Sequence, residues 1–122
     1  MPTRTTATNI DFLYDPDCPS YEAALERLRS VMAALGISAA ISAQEVTSQE
    51  QAQQLRFPGS PTIRVNGRDI DDGSADSEGF SLTCRAYLRP DGRISPLPPE
   101  TLIRDALLRA ADANRRRQFE SQ

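Results

Sequence analysis

Residues 10–21 read IDFLYDPDCPSY, and the fold is decided by how these positions divide. Ile10 to Tyr14 form an apolar run bounded by polar residues, which predicts a strand. Beyond Cys18, apolar residues recur at Tyr21, Ala24, Leu25, Leu28, Val31, Met32 and Leu35. That spacing of three and four places them on one face of a helix. Pro19 suits the first helical position, where a missing N–H loses no bond, and Gly36 suits the stop. Cys18 therefore stands where a strand hands over to a helix. Three positions on, the residue is Tyr21.

Working outward, a second strand is expected at about 39–46, where Ile41, Ala43 and Val46 are apolar. Thr47 and Glu50 have the spacing of a capping box, opening a short helix through Arg56 that packs through Ala52 and Leu55. In FPGSPTIRVNGRDI, residues 57–70, Thr62 to Val65 are strand-like and Asn66-Gly67 is a hairpin signal. The acidic and small residues 71–79, DDGSADSEG, predict an exposed loop. A further strand is expected at Leu82 to Leu88, which could pair antiparallel with the strand opened by Pro61, and PDG at 90–92 turns the chain again. Pro98 and Pro99 introduce a last amphipathic helix in which Leu102, Ile103, Ala106, Leu107 and Ala110 share a face. A strand, a helix and a second strand imply a parallel pair with a right-handed crossover, so the class is α/β. The expected organisation is a flexible leader at 1–8, a domain over 9–112 with an inserted loop at about 71–81, and a flexible tail at 113–122.

Composition narrows the chemistry. The chain has 122 residues, 39% hydrophobic and 25% charged, with a formal net charge of −3. These values fit one globular domain and argue against nucleic acid as a partner, because a phosphate-binding face shows as a basic excess. Arg115, Arg116 and Arg117 are the local exception, expected as a solvated helix end. Every basic residue is arginine and there is no histidine. A Ser-His-Asp triad and a Cys-His pair are thereby excluded, and two cysteines with carboxylates would make an unusual zinc site, so no metal is expected. Two cysteines are also too few for the framework of a small secreted domain. Neither a signal peptide nor a membrane span is visible, and a cytoplasmic location is expected.

Cys18-Pro19 at a helix start, followed by Gly59-Ser60-Pro61-Thr62 opening a strand that runs to Asn66-Gly67, resembles the thioredoxin and glutaredoxin superfamily. The resemblance covers roughly residues 9–110, and PTIRVNGRDI is particularly similar to the glutaredoxin pattern. It implies a three-layer sandwich with a mixed central sheet flanked by helices. It also implies a reactive Cys18 and a cis-proline at Pro61 lying against it. A disulfide-containing small molecule or protein would bind along Pro19, Tyr21, Ser60 and Pro61, with no bound cofactor and with glutathione or another external thiol as reductant. The chain departs from the family's C-x-x-C motif at Tyr21, which removes the dithiol shuttle, and in the length of the segment 71–96. It also looks something like small bacterial thioredoxin-like proteins named after organomercurial lyases, without a matching lyase motif.

Two readings of Cys18 are open. A thiolate at a helix N-terminus faces unpaired N–H groups and the positive end of the dipole, whereas Asp15, Asp17 and Glu22 oppose a second anion. Alternatively, Cys18 is a small apolar residue in a fold reused as a scaffold. Arg56 or Arg64 could approach it in the fold. Tyr21 belongs to the apolar stripe, and its phenol could also reach a thiolate or substrate. Cys84 is the candidate resolving thiol, which would attack a mixed disulfide on Cys18. An unbridged pair is favoured if that strand pairing forms, because it would set Cys84 apart by more than the roughly 4.4–6.8 Å between Cα atoms that a disulfide allows; a bend of the acidic loop toward Cys18 is the alternative, giving a disulfide or a joint metal site. Three functions follow: a single-cysteine thiol-disulfide oxidoreductase using Cys18, a non-catalytic binding or scaffold module, or thiol-dependent handling of an oxyanion or heavy metal. The last needs a cationic cradle, whereas the charges nearest Cys18 in sequence are acidic.

Overall fold

The computed structural model describes residues 8–71, 87–89 and 91–120. The chain is α/β, built on a four-stranded mixed sheet. Its elements are β1 (Asn9–Tyr14), α1 (Tyr21–Leu35), β2 (Ala40–Glu45), α2 (Gln49–Gln54), β3 (Thr62–Val65), β4 (Arg68–Asp69), β5 (Tyr87–Leu88), β6 (Ile94–Ser95) and α3 (Glu100–Glu120). The sheet order is β2-β1-β3-β4. β1 and β2 run parallel with Asn9 opposite Ala40 and Tyr14 opposite Glu45. β3 lies antiparallel on the other side of β1, with Phe12 opposite Ile63.

Alternation along β1 divides the interior into two cores. Ile10 and Phe12 face α1 and α3 in a cluster with Leu28, Met32, Ile63, Ile103 and Leu107. Leu13 faces the other side, where it meets Val46, Ala52 and Phe57. The helical stripes read from the sequence are those that are buried. Ala24, Leu28, Val31 and Met32 are buried on α1, and Ile103, Ala106, Leu107 and Ala110 on α3. Gly36 ends α1 with a left-handed φ of 69°, its N–H bonded to Ala33 O and the Ile37 N–H to Met32 O. These two bonds satisfy carbonyls that the helix leaves unpaired.

Several boundaries differ from expectation. α1 opens at Tyr21, with Ser20 as its N-cap, so Pro19 lies before the helix and not at its first position. The cap of α2 is Ser48, whose hydroxyl accepts the Gln51 N–H at 3.1 Å, in place of Thr47 with Glu50. Gln51 completes the exchange by accepting the Thr47 N–H at 3.0 Å. The Asn66-Gly67 hairpin is present, with φ values of 54° and 82°, and returns the chain as β4. The described end of the strand expected at 82–88 does not pair with β3. Tyr87 and Leu88 pair with Ser95 and Ile94 in a separate two-stranded sheet, because β4 already occupies that edge of β3. This second hairpin is closed by the Arg89 N–H on Arg93 O at 2.7 Å and the Gly92 N–H on Arg89 O at 2.9 Å. The last helix continues through Glu120, past the start of the tail expected from residue 113. Residues 1–7 and the 71–81 loop beyond Asp71 lie outside the described residues. No described helix is long and apolar enough to cross a membrane.

Candidate functional site

Asp15-Pro16-Asp17-Cys18 is a tight turn at the end of β1. The Cys18 N–H donates to Asp15 O at 2.9 Å, and the Asp15 carboxylate accepts the Asp17 N–H at 2.9 Å. Proline at the second position of such a turn and aspartate at the first are the residues that favour it, through a fixed φ and a side-chain acceptor. The Cys18 carbonyl then receives the Tyr21 N–H at 3.5 Å, and the Ser20 carbonyl receives the Ala24 N–H at 3.0 Å. The thiol thus stands two residues before the N-cap of α1. The local sequence holds it there through two successive turns.

The opposite wall is the segment that enters β3. Gly59 adopts φ 147°, a conformation open to glycine and strained for other residues. Its carbonyl accepts the Thr62 hydroxyl at 2.7 Å. The Ser60–Pro61 peptide bond is cis. Ser60 is fully buried and bridges the two walls by both its groups. Its hydroxyl oxygen accepts the Asp15 N–H at 3.0 Å, and its carbonyl lies 3.9 Å from Cys18 Sγ, which donates to it. The hydroxyl proton of Ser60 has no acceptor among the described residues. Cys18 is 5% exposed and carries a free thiol. A carbonyl acceptor suits the protonated thiol, and the sulfur must turn from it before it can attack as an anion. Behind the proline, the buried Tyr87 hydroxyl donates to Pro61 O at 2.7 Å.

The start of α1, next along the chain from Cys18, carries one member of an aromatic pair with acidic neighbours. Tyr14 and Tyr21 stack with ring centroids 4.4 Å apart and 19° between planes. The Tyr14 hydroxyl donates to the Glu45 carboxylate at 3.5 Å. Partial burial, then the charge of Glu45, pushes the Tyr14 phenol above its ordinary pKa. Partial burial, then Glu22 and more weakly Glu45, does the same to Tyr21. Tyr21 is half-buried against the main core, as its place in the helical stripe predicts. Neither candidate arginine supplies a cation through the contacts it makes. Arg64 donates to Leu55 O and Arg56 O at 2.7 and 2.9 Å, closing the end of α2, and Arg56 is the residue whose carbonyl it holds. Arg27 donates to Pro98 O at 2.9 Å and ties α1 to the segment that leads into α3.

The structure therefore brings together Cys18, Ser60 and Pro61, whereas Tyr21 meets Cys18 through its backbone N–H and packs its ring against the main core, and Pro19, next in sequence, is exposed. Cys84 lies outside the described residues. Sequence reasoning missed Tyr87, which fell in an expected strand without any signal for the proline carbonyl, and Phe57, a buried aromatic directly after α2. Among the described residues, no group of three histidine, cysteine, aspartate or glutamate side chains is placed to hold a metal ion.

Comparison with curated proteins gives no match, and neither does comparison with solved structures. A family model does match, over residues 19–107, beginning one residue after Cys18. That span is well over half of the chain, which accordingly belongs to the family described as Domain of unknown function (DUF2703).

Proposed function

We propose that the protein is thioredoxin-like and that Cys18 is the exchanging sulfur of a single-cysteine thiol-disulfide oxidoreductase. The observation that carries this reading is the 3.9 Å contact between Cys18 Sγ and the carbonyl of Ser60, the residue joined to Pro61 by the cis bond. The β2-β1-β3-β4 order and the return hairpin at Asn66-Gly67 support it. In the first step the Cys18 thiolate attacks one sulfur of a disulfide. A Cys18 Sγ–S bond forms, the substrate S–S bond breaks, and the departing thiolate takes up the proton that Cys18 released. An external thiol then attacks the mixed disulfide. Cys18 returns to the thiol, and the two small sulfur groups leave joined as a new disulfide. Tyr21 provides no second thiol beside Cys18, and in this cycle the closing thiol comes from outside the chain.

The test is intact mass after incubation with 2-hydroxyethyl disulfide, followed by addition of a monothiol. One adduct on Cys18, released by the monothiol and missing from Cys18→Ser, is the expected result. A native protein that forms no adduct at Cys18 refutes the reading.

The 5% exposure of Cys18 favours a second reading, in which the fold is a binding module and the thiol only fills space. In that case Cys18→Ser retains partner binding, and the native thiol is inert.

A further inference from the structure

We propose that the protein binds a small carboxylate bearing a short hydrocarbon chain, in a cavity between the β3–β4 hairpin and the middle of α3. The cavity has a volume of about 210 Å³. It stands at the Val65 end of β3, whereas Pro61 and the thiol stand at the Thr62 end, about 10 Å away along the strand. The inference is therefore independent of the reading of Cys18.

The cavity follows from the residues that α3 turns toward the sheet. Ile103 and Leu107 are fully buried and fill the space over the main core. The cavity wall is made instead by Ala106, Ala110 and Ala113, whose side chains end at one methyl group and leave a gap before the hairpin. Val65, 5% exposed, supplies a further apolar wall. Apolar groups lining a gap forfeit the dispersion contacts that a filled site would give them. A cavity of about 150 Å³ already takes benzene, so the volume here suits a hydrocarbon chain of a few carbons.

The polar lining selects the other end of the ligand. Asn66, Arg68 and Arg109, all exposed, complete the walls together with Asp69, so two guanidinium groups stand against one carboxylate. The Asp69 carboxylate accepts the Asp71 N–H at 2.8 Å within its own turn. Asn66 accepts the Asn9 N–H on Oδ1 at 2.8 Å, which leaves its NH2 group to donate. Among the described residues, Arg109 has no hydrogen-bond or ion-pair partner. A guanidinium presents a planar fork of donors that matches a carboxylate through two parallel bonds. Apolar walls with a few convergent donors are the lining that a small amphiphilic ligand requires, and the excess of positive charge makes that ligand an anion.

The experiment titrates the full chain with hexanoate, hexan-1-ol and hexylamine and reads backbone amide shifts by NMR. Hexanoate is expected to saturate shifts at residues 65–69 and 106–113, with half-saturation in about the millimolar range or below. Hexan-1-ol, with the same chain and no charge, should bind about fivefold more weakly, and hexylamine more weakly again. Arg109→Gln should bring hexanoate to the affinity of the alcohol. Ala113→Leu, at a half-buried helical position where leucine is well tolerated, should fill the space and abolish saturation by every probe. No saturable shift with hexanoate, shifts centred on other residues, or equal affinities for hexanoate and hexan-1-ol overturn the inference. So does an unchanged affinity for hexanoate in Arg109→Gln or in folded Ala113→Leu. Should Ala113→Leu fail to fold, Arg109→Gln, which alters an exposed side chain, decides alone.

Discussion

Ser60 is a small residue on which two distant parts of the chain depend. Its hydroxyl oxygen receives the N–H of Asp15, 45 positions away, and its carbonyl receives the thiol. The cysteine and the proline were legible because each carries a backbone signal: a strand-to-helix junction for Cys18 and a strand entry for Pro61. The serine's role was not, since a hydrogen bond across 45 residues leaves no periodicity and no local composition. The tyrosine pair shows the same division. Tyr21 was legible as a member of the α1 stripe, whereas its stacking on Tyr14 depends on how β1 and α1 meet. That pair yields a test at the scale of single residues. Both phenols are held above the ordinary value of 10.0, so folding favours their neutral forms. The stability they contribute is present below the unfolded pKa and is lost as pH rises through the folded values. Glu45→Gln removes a negative charge acting on both, and their ionisation should move to lower pH. Tyrosinate absorbance against pH reads the shift, and an unmoved curve contradicts the placement of Glu45.

The short elements show where propensity and tertiary structure divide the work. Thr47 and Glu50 match a capping pattern, yet the cap belongs to Ser48, which has the same chemistry one position later. A pattern shared by neighbours is settled by where the chain leaves β2, and Val46, fully buried, fixes that point. The end of α2 is less usual. Arg56 occupies the left-handed position with φ 54°, its N–H on Gln53 O, while the Phe57 N–H reaches Ala52 O. This is the bonding that Gly36 performs for α1, here carried by a residue with a side chain. Placing an L-residue in that conformation costs about 1–2 kcal/mol, partly offset by the freedom that glycine loses on folding. Arg56→Gly should therefore raise stability by about 0.5–1 kcal/mol in denaturant titration, because Arg64 binds the backbone carbonyl, which the substitution retains. A loss of stability would mean that the Arg56 side chain carries contacts of its own. The described end of the strand expected at 82–88 pairs with β6 and not with β3 for a comparable reason. Its composition favours a strand, but which edge it joins depends on the return strand β4 having taken the place beside β3.

Across the whole molecule, the site is held where the two cores meet. Leu13 and Phe57 stabilise one wall from the α2 side, and Phe12, Ile63 and Tyr87 stabilise the other from the side of α1 and α3. The α/β class, the parallel β1–β2 pair and both long helices were legible because each rests on hydrophobic periodicity. The tie of the second hairpin to the proline was not, because it rests on a single buried hydroxyl. Tyr87→Phe leaves Pro61 O without that donor and should cost about 1–3 kcal/mol, the range for a buried polar group left unpaired. Urea unfolding checks it, and a neutral result would show that the carbonyl finds another partner. The account as a whole depends on Cys18 resting against the Ser60–Pro61 segment. Nuclear Overhauser contacts of the Cys18 β protons in the reduced protein measure this directly. The expected spectrum connects them to protons of Ser60 or Pro61, and a fully assigned spectrum connecting Cys18 only to other parts of the chain would contradict it.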